Sequence, residues 1–430
     1  MFGKTVARGL CCLVVAGPAV AAEPKSIWEQ ETLTGDWHGA RTALKDRGIE
    51  IALTYTNEVL AVVSGGLAQR ASYEGRFDLT VDADLDKLLG WKGASASFTV
   101  FQIHSSSRNV AENVGSIADP SNIDALQTTR LFSAWFQQNF FDDRVSIRVG
   151  QLGFDLESFT SATSGGLING TFGWATVLAA NMISGGPAYP LAAPGVRVAI
   201  RPADDITLIG AILSGDPAGP NCNDLPQVCN RYGLTFSFSG GALLVGEIQY
   251  AVNQGKQAIG MPGVYKAGYW HETASFPDQQ FPAVMHEGNW GVYGVADQMV
   301  WRGVSSSLNL FLRAGMSPSD RNLISWYVDG GFGIKGPVTA RPDDVLTVGV
   351  AYQKISPDAV AADRDAGLAV IRSNEIVFEL SYQAQLAPWW VLQPDIQYIV
   401  HPGGNIPDPN NALVPVKNAT VIGLRSTIKF

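Results

Sequence analysis

The chain ends NATVIGLRSTIKF, residues 418–430. Val421, Gly423, Arg425, Thr427 and Lys429 share one parity, and Ile422, Leu424, Ile428 and Phe430 share the other. Successive side chains of a strand point to opposite faces, so this segment reads as a strand with one polar and one apolar face. It keeps that pattern to the final residue, where soluble domains more often fray into a polar tail. A strand ordered to its last residue needs a partner there. A closed sheet supplies one, because the last strand pairs with the first and no edge is left.

The same alternation recurs from Gly48 onward. In GIEIALTYTNE (48–58), Ile49, Ile51, Leu53 and Tyr55 alternate with Glu50, Ala52, Thr54 and Thr56. In RFDLTVDADL (76–85), Phe77, Leu79, Val81, Ala83 and Leu85 alternate with Asp78, Thr80, Asp82 and Asp84. RVSIRVG, GVRVAIR, LNLFLR and NEIVFELSYQ repeat it. A soluble sandwich with one wet face shares this period, but no helical pattern is present to cover so many strands. Polar-in, apolar-out alternation fits an outer-membrane barrel.

Composition agrees. The 430 residues include 46 Gly, 10% aromatics and only 16% charged residues, against roughly 25% charged in soluble proteins. Mean hydropathy is +0.08, and no stretch beyond the amino terminus is long and apolar enough for a membrane helix. The net charge of −9 excludes a nucleic-acid binder, which needs a basic face.

Residues 1–22 read as an export signal: Lys4 and Arg8 precede the short apolar GLCCLVVAGPAV, and AVAAE offers cleavage near Ala21 or Ala22. Cys11 and Cys12 lie inside that apolar run, not after it, which argues against lipidation. Cys222 and Cys229 remain, in GPNCNDLPQVCNR, and an oxidising compartment makes them a disulfide. Two thiolates without a nearby His are too few for a metal site. Residues 23–48 are expected to form a periplasmic segment with one short helix, Asp36 as N-cap and Gly48 at C′. Residues 49–430 are the barrel.

Short and long connections alternate from both ends, as in barrels with short periplasmic turns and long external loops. About 17 segments look like strands, yet a barrel with both ends periplasmic needs an even number. The two counts collide at RYGLTFSFS (231–239) and LLVGEIQYAV (243–252), of which one is not an independent strand; the first reads as a loop extension. The fold expected is all-β: a 16-stranded antiparallel transmembrane β-barrel with a short N-terminal helix. Trp91, Trp301, Trp389 and Trp390 fall near strand ends, where aromatic girdles form.

Catalytic chemistry is thinly represented. His38, His104, His271, His286 and His401 are not at metal-ligand spacing. All but His38 read as strand-end or loop residues, and none pairs with a nucleophile. SGGLINGTFG (164–173) is Gly-rich but lacks a following Lys-Ser or Lys-Thr, so it is not a phosphate loop. No cofactor or metal is implied. The inward parity carries Glu50, Glu58, Arg76, Asp78, Arg144, Arg148, Arg197, Arg201, Arg313, Glu375, Glu379 and Arg425, a mixture of signs that favours no single ion. The longest external loop, Gly153–Pro194, is expected to fold into the lumen as a constriction and carries Trp174. A sugar-selective constriction combines charged and amide hydrogen-bonding groups with an aromatic platform.

The chain resembles the carbohydrate-selective porins of the OprB type. The resemblance runs in order from about Trp28 to Phe430, through LTGDWHGARTALKDRGIEI, LDKLLGWKG, RLFSAWFQQNFFDDRVSIRVGQL, INGTFGW, YPLAAPGVR, GNWGVYGVADQM, FLRAGMSPSDRN, ELSYQAQLAPWWVLQPDIQYIVHPGG and GLRSTIKF. It departs at His38, where a small residue such as Gly is expected. The resemblance implies a 16-stranded outer-membrane channel for facilitated diffusion of glucose or related sugars. The alternative is a general or differently selective porin on the same barrel. Terminal Phe430 resembles the aromatic signature that the outer-membrane insertion machinery reads. The family's binding positions do not sit in one short motif, so the constriction is assigned from parity and loop position: Glu58, Arg76, Asp78 and Arg148 from the wall, Asn169 and Trp174 from the loop. Expected partners are sugars, outer-membrane lipid and lipopolysaccharide. A homo-oligomer is compatible with such a surface, because an interface patch would look like any lipid-facing one.

Overall fold

The computed structural model describes residues 26–106, 109–238, 240–255 and 258–430. The export signal expected at 1–22 lies outside them. Sixteen antiparallel strands close a barrel: β1 (Ile49–Ser64), β2 (Ala71–Asp84), β3 (Ala94–Ser105), β4 (Thr128–Phe140), β5 (Val145–Leu152), β6 (Ala193–Ala203), β7 (Ile206–Ser214), β8 (Ala242–Val252), β9 (Gly263–Pro277), β10 (Met285–Arg302), β11 (Ser307–Met316), β12 (Ile324–Lys335), β13 (Val345–Ile355), β14 (Asn374–Ala387), β15 (Trp390–Val400) and β16 (Ala419–Lys429). Each strand pairs with its sequence neighbour, and β16 closes on β1. A small hairpin, Pro407–Asp408 with Asn411–Pro415, stands outside the barrel. The strand count is even because 231–238 is not a strand, whereas 242–252 is β8.

The burial pattern is inverted relative to a soluble protein. Val59, Val63, Phe378, Leu380, Ile396, Ile422 and Leu424 are exposed, while Glu58, Glu375, Glu379, Gln397 and Arg425 on the opposite parity are buried. Apolar side chains therefore face outward and polar ones face the lumen, the arrangement a bilayer selects. At the seam Glu58 stands directly opposite Arg425, and the two form an ion pair of 2.5 Å on the lumenal side. Phe430 completes the closure: its N–H donates to the Leu53 carbonyl at 2.8 Å.

The N-terminal segment is strapped to this seam. Leu33 N–H donates to Lys429 O at 2.8 Å, Arg41 Nη2 to Phe430 O at 2.8 Å, and Trp389 Nε1 to Ile27 O at 2.7 Å. Trp28 stacks on Trp389 with ring centroids 5.9 Å apart. Trp389 is thereby covered and is not a girdle residue, whereas Trp91 and Trp301 stay exposed at the short-turn end. The one longer N-terminal helix, α1 (Ala40–Asp46), has Gly39 rather than Asp36 as its N-cap residue. Asp36 still does the capping, because a turn over Trp37–Gly39 carries its carboxylate back to the Thr42 N–H at 2.9 Å. That turn holds His38 at φ +56°, a conformation that favours glycine, which accounts for the small residue expected there. Gly48 follows the helix at φ +95°, as a C′ residue does. Removing the Arg41 side chain should cost about 1 kcal/mol, the value of one partly exposed hydrogen bond. It should lower the temperature at which the folded, fast-migrating gel band disappears, without changing channel conductance.

Candidate functional site

Two loops fill the lumen, and the wall holds them by a simple division of labour. Inward carboxylates accept from loop N–H groups, and an inward arginine donates to loop carbonyls. Glu379 accepts from the N–H groups of Ile168 and Asn169, and Glu247 accepts from Phe159 N–H at 3.0 Å. Asp297 accepts from Thr163 N–H at 2.8 Å and from Thr163 Oγ1 at 2.7 Å. Arg313 pairs with Asp329, both fully buried, and donates to the carbonyls of Phe159, Thr171 and Gly173 at 3.1, 2.9 and 3.0 Å. These bonds fix residues 153–192, the loop expected to enter the lumen. The other long loop, described over residues 109–127, also turns inward, which the sequence pattern does not reveal. Glu375 accepts from Ile117 and Ala118 N–H, each at 2.9 Å, and Glu74 accepts from Val110 N–H at 3.2 Å.

Between the loops and the wall lies a central cavity of about 500 Å³. On one side Arg76 lies between the rings of Phe101 and Tyr189, at 4.7 and 4.6 Å from their centroids. Asp78 takes its fork at 2.6 and 2.8 Å. Tyr189 N–H donates to Asp155 at 3.0 Å and its hydroxyl to Ile123 O at 2.8 Å, so the two loops meet at this arginine. Arg425, Gln393 and Trp174, whose Nε1 donates to Gly185 O at 2.8 Å, also line the cavity. A second cavity of about 620 Å³ opens toward the short-turn end and holds Arg148, Arg197 and Lys266. Leu156, 66% exposed, borders both cavities and stands where they meet.

The six residues assigned from sequence separate into three groups. Arg76 and Trp174 line the central cavity, with Asp78 behind Arg76. Arg148 belongs to the second cavity, where it lies 4.0 Å over the Trp135 ring and shares Glu157 with Arg197. Glu58 and Asn169 are buried. Glu58 joins Arg425 to Ser121 of the first loop, and Asn169 donates to Gln397 at 3.0 Å while its own oxygen accepts from Thr171 N–H. In this structure both residues hold loops in place and neither borders a cavity. The histidines also scatter. His104 and His271 lie within β3 and β9, and His271 is well inside its strand rather than at its end. His104 contacts the outward Tyr55 hydroxyl at 3.0 Å, and His286 binds Asp278 at 2.8 Å. Cys222 and Cys229 form the expected disulfide.

Burial and nearby charge shape the loop carboxyls. Burial pushes Asp155 up to about 6, with Arg76 pulling the other way. Burial and neighbouring carboxylates raise Asp124 to about 9 and hold Asp119 well above its usual range. At neutral pH the cavity thus presents an ionised Asp155 and a protonated Asp124 beside its arginines.

An apolar-skinned closed barrel with a polar, loop-narrowed lumen is an outer-membrane diffusion channel of the porin class. Residues 68–430 match the carbohydrate-selective porin, OprB family, and the chain belongs to that family. It is a channel protein and not an enzyme. Among its relatives are Porin B of Pseudomonas aeruginosa, 27% identical with 96% of each chain covered, and the porin QuiX of Acinetobacter baylyi, 23% identical with 98% of each covered. The fold matches the high-pH structure of Pseudomonas putida OprB, with a TM-score of 0.82 and 24% identity over 94% of this chain and all of that one. Short turns of such barrels face the periplasm and long loops the exterior, so the second cavity is the periplasmic vestibule.

Proposed function

We propose that the central cavity is the selectivity site, where a sugar of about hexose size is held briefly as it diffuses through the outer membrane. The observation that carries this is that one cavity is lined both by Arg76, on its Phe101–Tyr189 seat, and by the Trp174 ring. A pyranose has hydroxyls for a guanidinium fork and an apolar face for an indole, and several weak contacts allow release as well as entry. The cavity is within the size range of small-ligand sites. Labelled glucose entering proteoliposomes through the purified channel tests this. Uptake should saturate and be inhibited by unlabelled glucose; uptake strictly linear in concentration would overturn it and leave a general porin. Trp174→Ala should weaken the inhibition several-fold with the barrel still folded, since the ring contributes nothing to strand pairing.

The site also implies a pH dependence. Asp155 is ionised above about pH 6 and neutral below it, and a charged acceptor outperforms a neutral one by about 1 kcal/mol. Lowering pH from 7.5 to 5 should therefore raise the half-inhibiting glucose concentration about fivefold. Asp124, raised to about 9, stays protonated across that window, so Asp155→Asn should flatten the profile. The outward apolar belt is proposed to meet outer-membrane lipid, including lipopolysaccharide. Phe430 is proposed as the residue that the insertion machinery recognises.

A further inference from the structure

β5 spans only Val145–Leu152, shorter than the ~9–11 residues a barrel strand needs to cross the bilayer. Its ladder with β4 stops at Ala134–Gln151, which leaves Thr128–Ser133 of β4 without a neighbouring strand on that side. Leu131 stands roughly nine residues above Phe140 at the periplasmic end. At ~3.4 Å per residue and ~40° tilt this is roughly 23 Å, still inside an apolar band ~25 Å tall. Bare N–H and C=O groups are not tolerated there.

The external loop after β7 supplies what is missing. Leu131 N–H donates to Tyr232 O at 3.0 Å. Gln151 Nε2 donates to the carbonyls of Leu131, Phe132 and Gly233 at 3.2, 2.8 and 3.0 Å, a side-chain amide acting as the absent strand. Thr128 Oγ1 donates to Arg231 O at 3.2 Å, and Arg130 Nη2 donates to Asn230 O. The approach at Gly233 is so close that a Cβ would sit 1.8 Å from Leu131 O, and its φ is +67°. Beyond it Leu234, Phe236 and Phe238 alternate as exposed side chains, Phe238 at 72%. None of them borders either lumenal cavity. Three residues after Phe238, Gly241 O accepts from Gly215 N–H at 3.1 Å, at the upper ends of β7 and β8, where Ile212 and Leu244 are paired and exposed in the outward belt.

We infer that residues 230–238 are a membrane-embedded flap that patches the barrel wall above β5, with Leu234, Phe236 and Phe238 seated among the acyl chains of the outer leaflet. This explains why a segment outside the barrel ladder keeps a strand's alternation. A lipid occupant is favoured over a second copy of the chain because the row leads within a few residues into the lipid-facing belt at β7 and β8 and its segment fills a gap at hydrocarbon height.

Nitroxide-labelled Phe236→Cys and Phe238→Cys proteins in phospholipid vesicles test it, since the native cystine leaves no other thiol among the described residues. Collision of the label with oxygen, which partitions into lipid, should exceed collision with a water-soluble nickel chelate. The oxygen-to-nickel ratio should be at least tenfold above that of a Leu413→Cys label on the exposed external hairpin. A ratio like that at 413 overturns the proposal in favour of an aqueous loop. Low collision with both reagents overturns it in favour of a protein partner. Leu234→Cys repeats the test on the same row if either variant inserts poorly.

Discussion

Arg313→Met should raise single-channel conductance several-fold and abolish saturable sugar inhibition. Its guanidinium is the hub of the inward loop: three carbonyls, at Phe159, Thr171 and Gly173, end on it, and Asp329 neutralises it from the next strand. Methionine removes those donors and leaves Asp329 buried without its cation. Breaking a fully buried pair on one side costs about 3–5 kcal/mol, and the three carbonyls lose their shared donor while the anchors at Glu379, Asp297 and Glu247 remain. The barrel ladder is not involved, so the protein should still run as a folded species on unheated gels. The double variant Arg313→Met/Asp329→Leu separates the two effects. It removes the orphan charge and should restore thermal stability, but the loop carbonyls stay unbound and conductance should stay high. A single variant with normal conductance would show that the loop does not depend on this arginine.

Arg76→Gln should raise the half-inhibiting glucose concentration about tenfold, which corresponds to about 1.4 kcal/mol, at unchanged barrel stability. Arg76 and Asp78 both border water, with side chains 17% and 22% exposed. Asp78 is therefore not stranded in an apolar environment when its partner is lost, unlike Asp329. Arg76→Lys is the informative companion. It keeps the charge but loses the planar fork and the stacking between Phe101 and Tyr189, so it should recover less than half of the lost affinity. Full recovery by lysine would mean that the site reads charge alone.

The barrel was legible because every strand must hide its polar parity and show its apolar one, and a period of two survives in the sequence wherever that holds. Parity did not reveal what lies against a lumenal side chain. Glu58, Glu375 and Glu379 share the inward face with Arg76, yet loops cover the first three and leave the arginine open. The Gly-rich SGGLINGTFG carried a signal that was read only as failing a phosphate motif. Its Ile168 and Asn169 N–H groups do bind an acceptor, the Glu379 carboxyl group of the wall. The second inward loop, 109–127, gives no sign of entering the lumen beyond its length, because its anchors Glu74 and Glu375 lie far away in sequence or on another strand. Segment 231–238 looks like a strand in sequence for a physical reason: it alternates like one but takes only scattered hydrogen bonds from β4 and Gln151 instead of a ladder, as the even strand count requires.

The most direct test of a lumenal sugar site is the ion current through the purified protein in a planar bilayer, titrated with glucose and then with sucrose at neutral pH. Current should fall along a saturating curve as a sugar occupies the central cavity, and that fall should be weakened in Arg76→Gln. Conductance indifferent to both sugars would contradict the account, leaving a barrel of this family whose lumen does not hold these sugars.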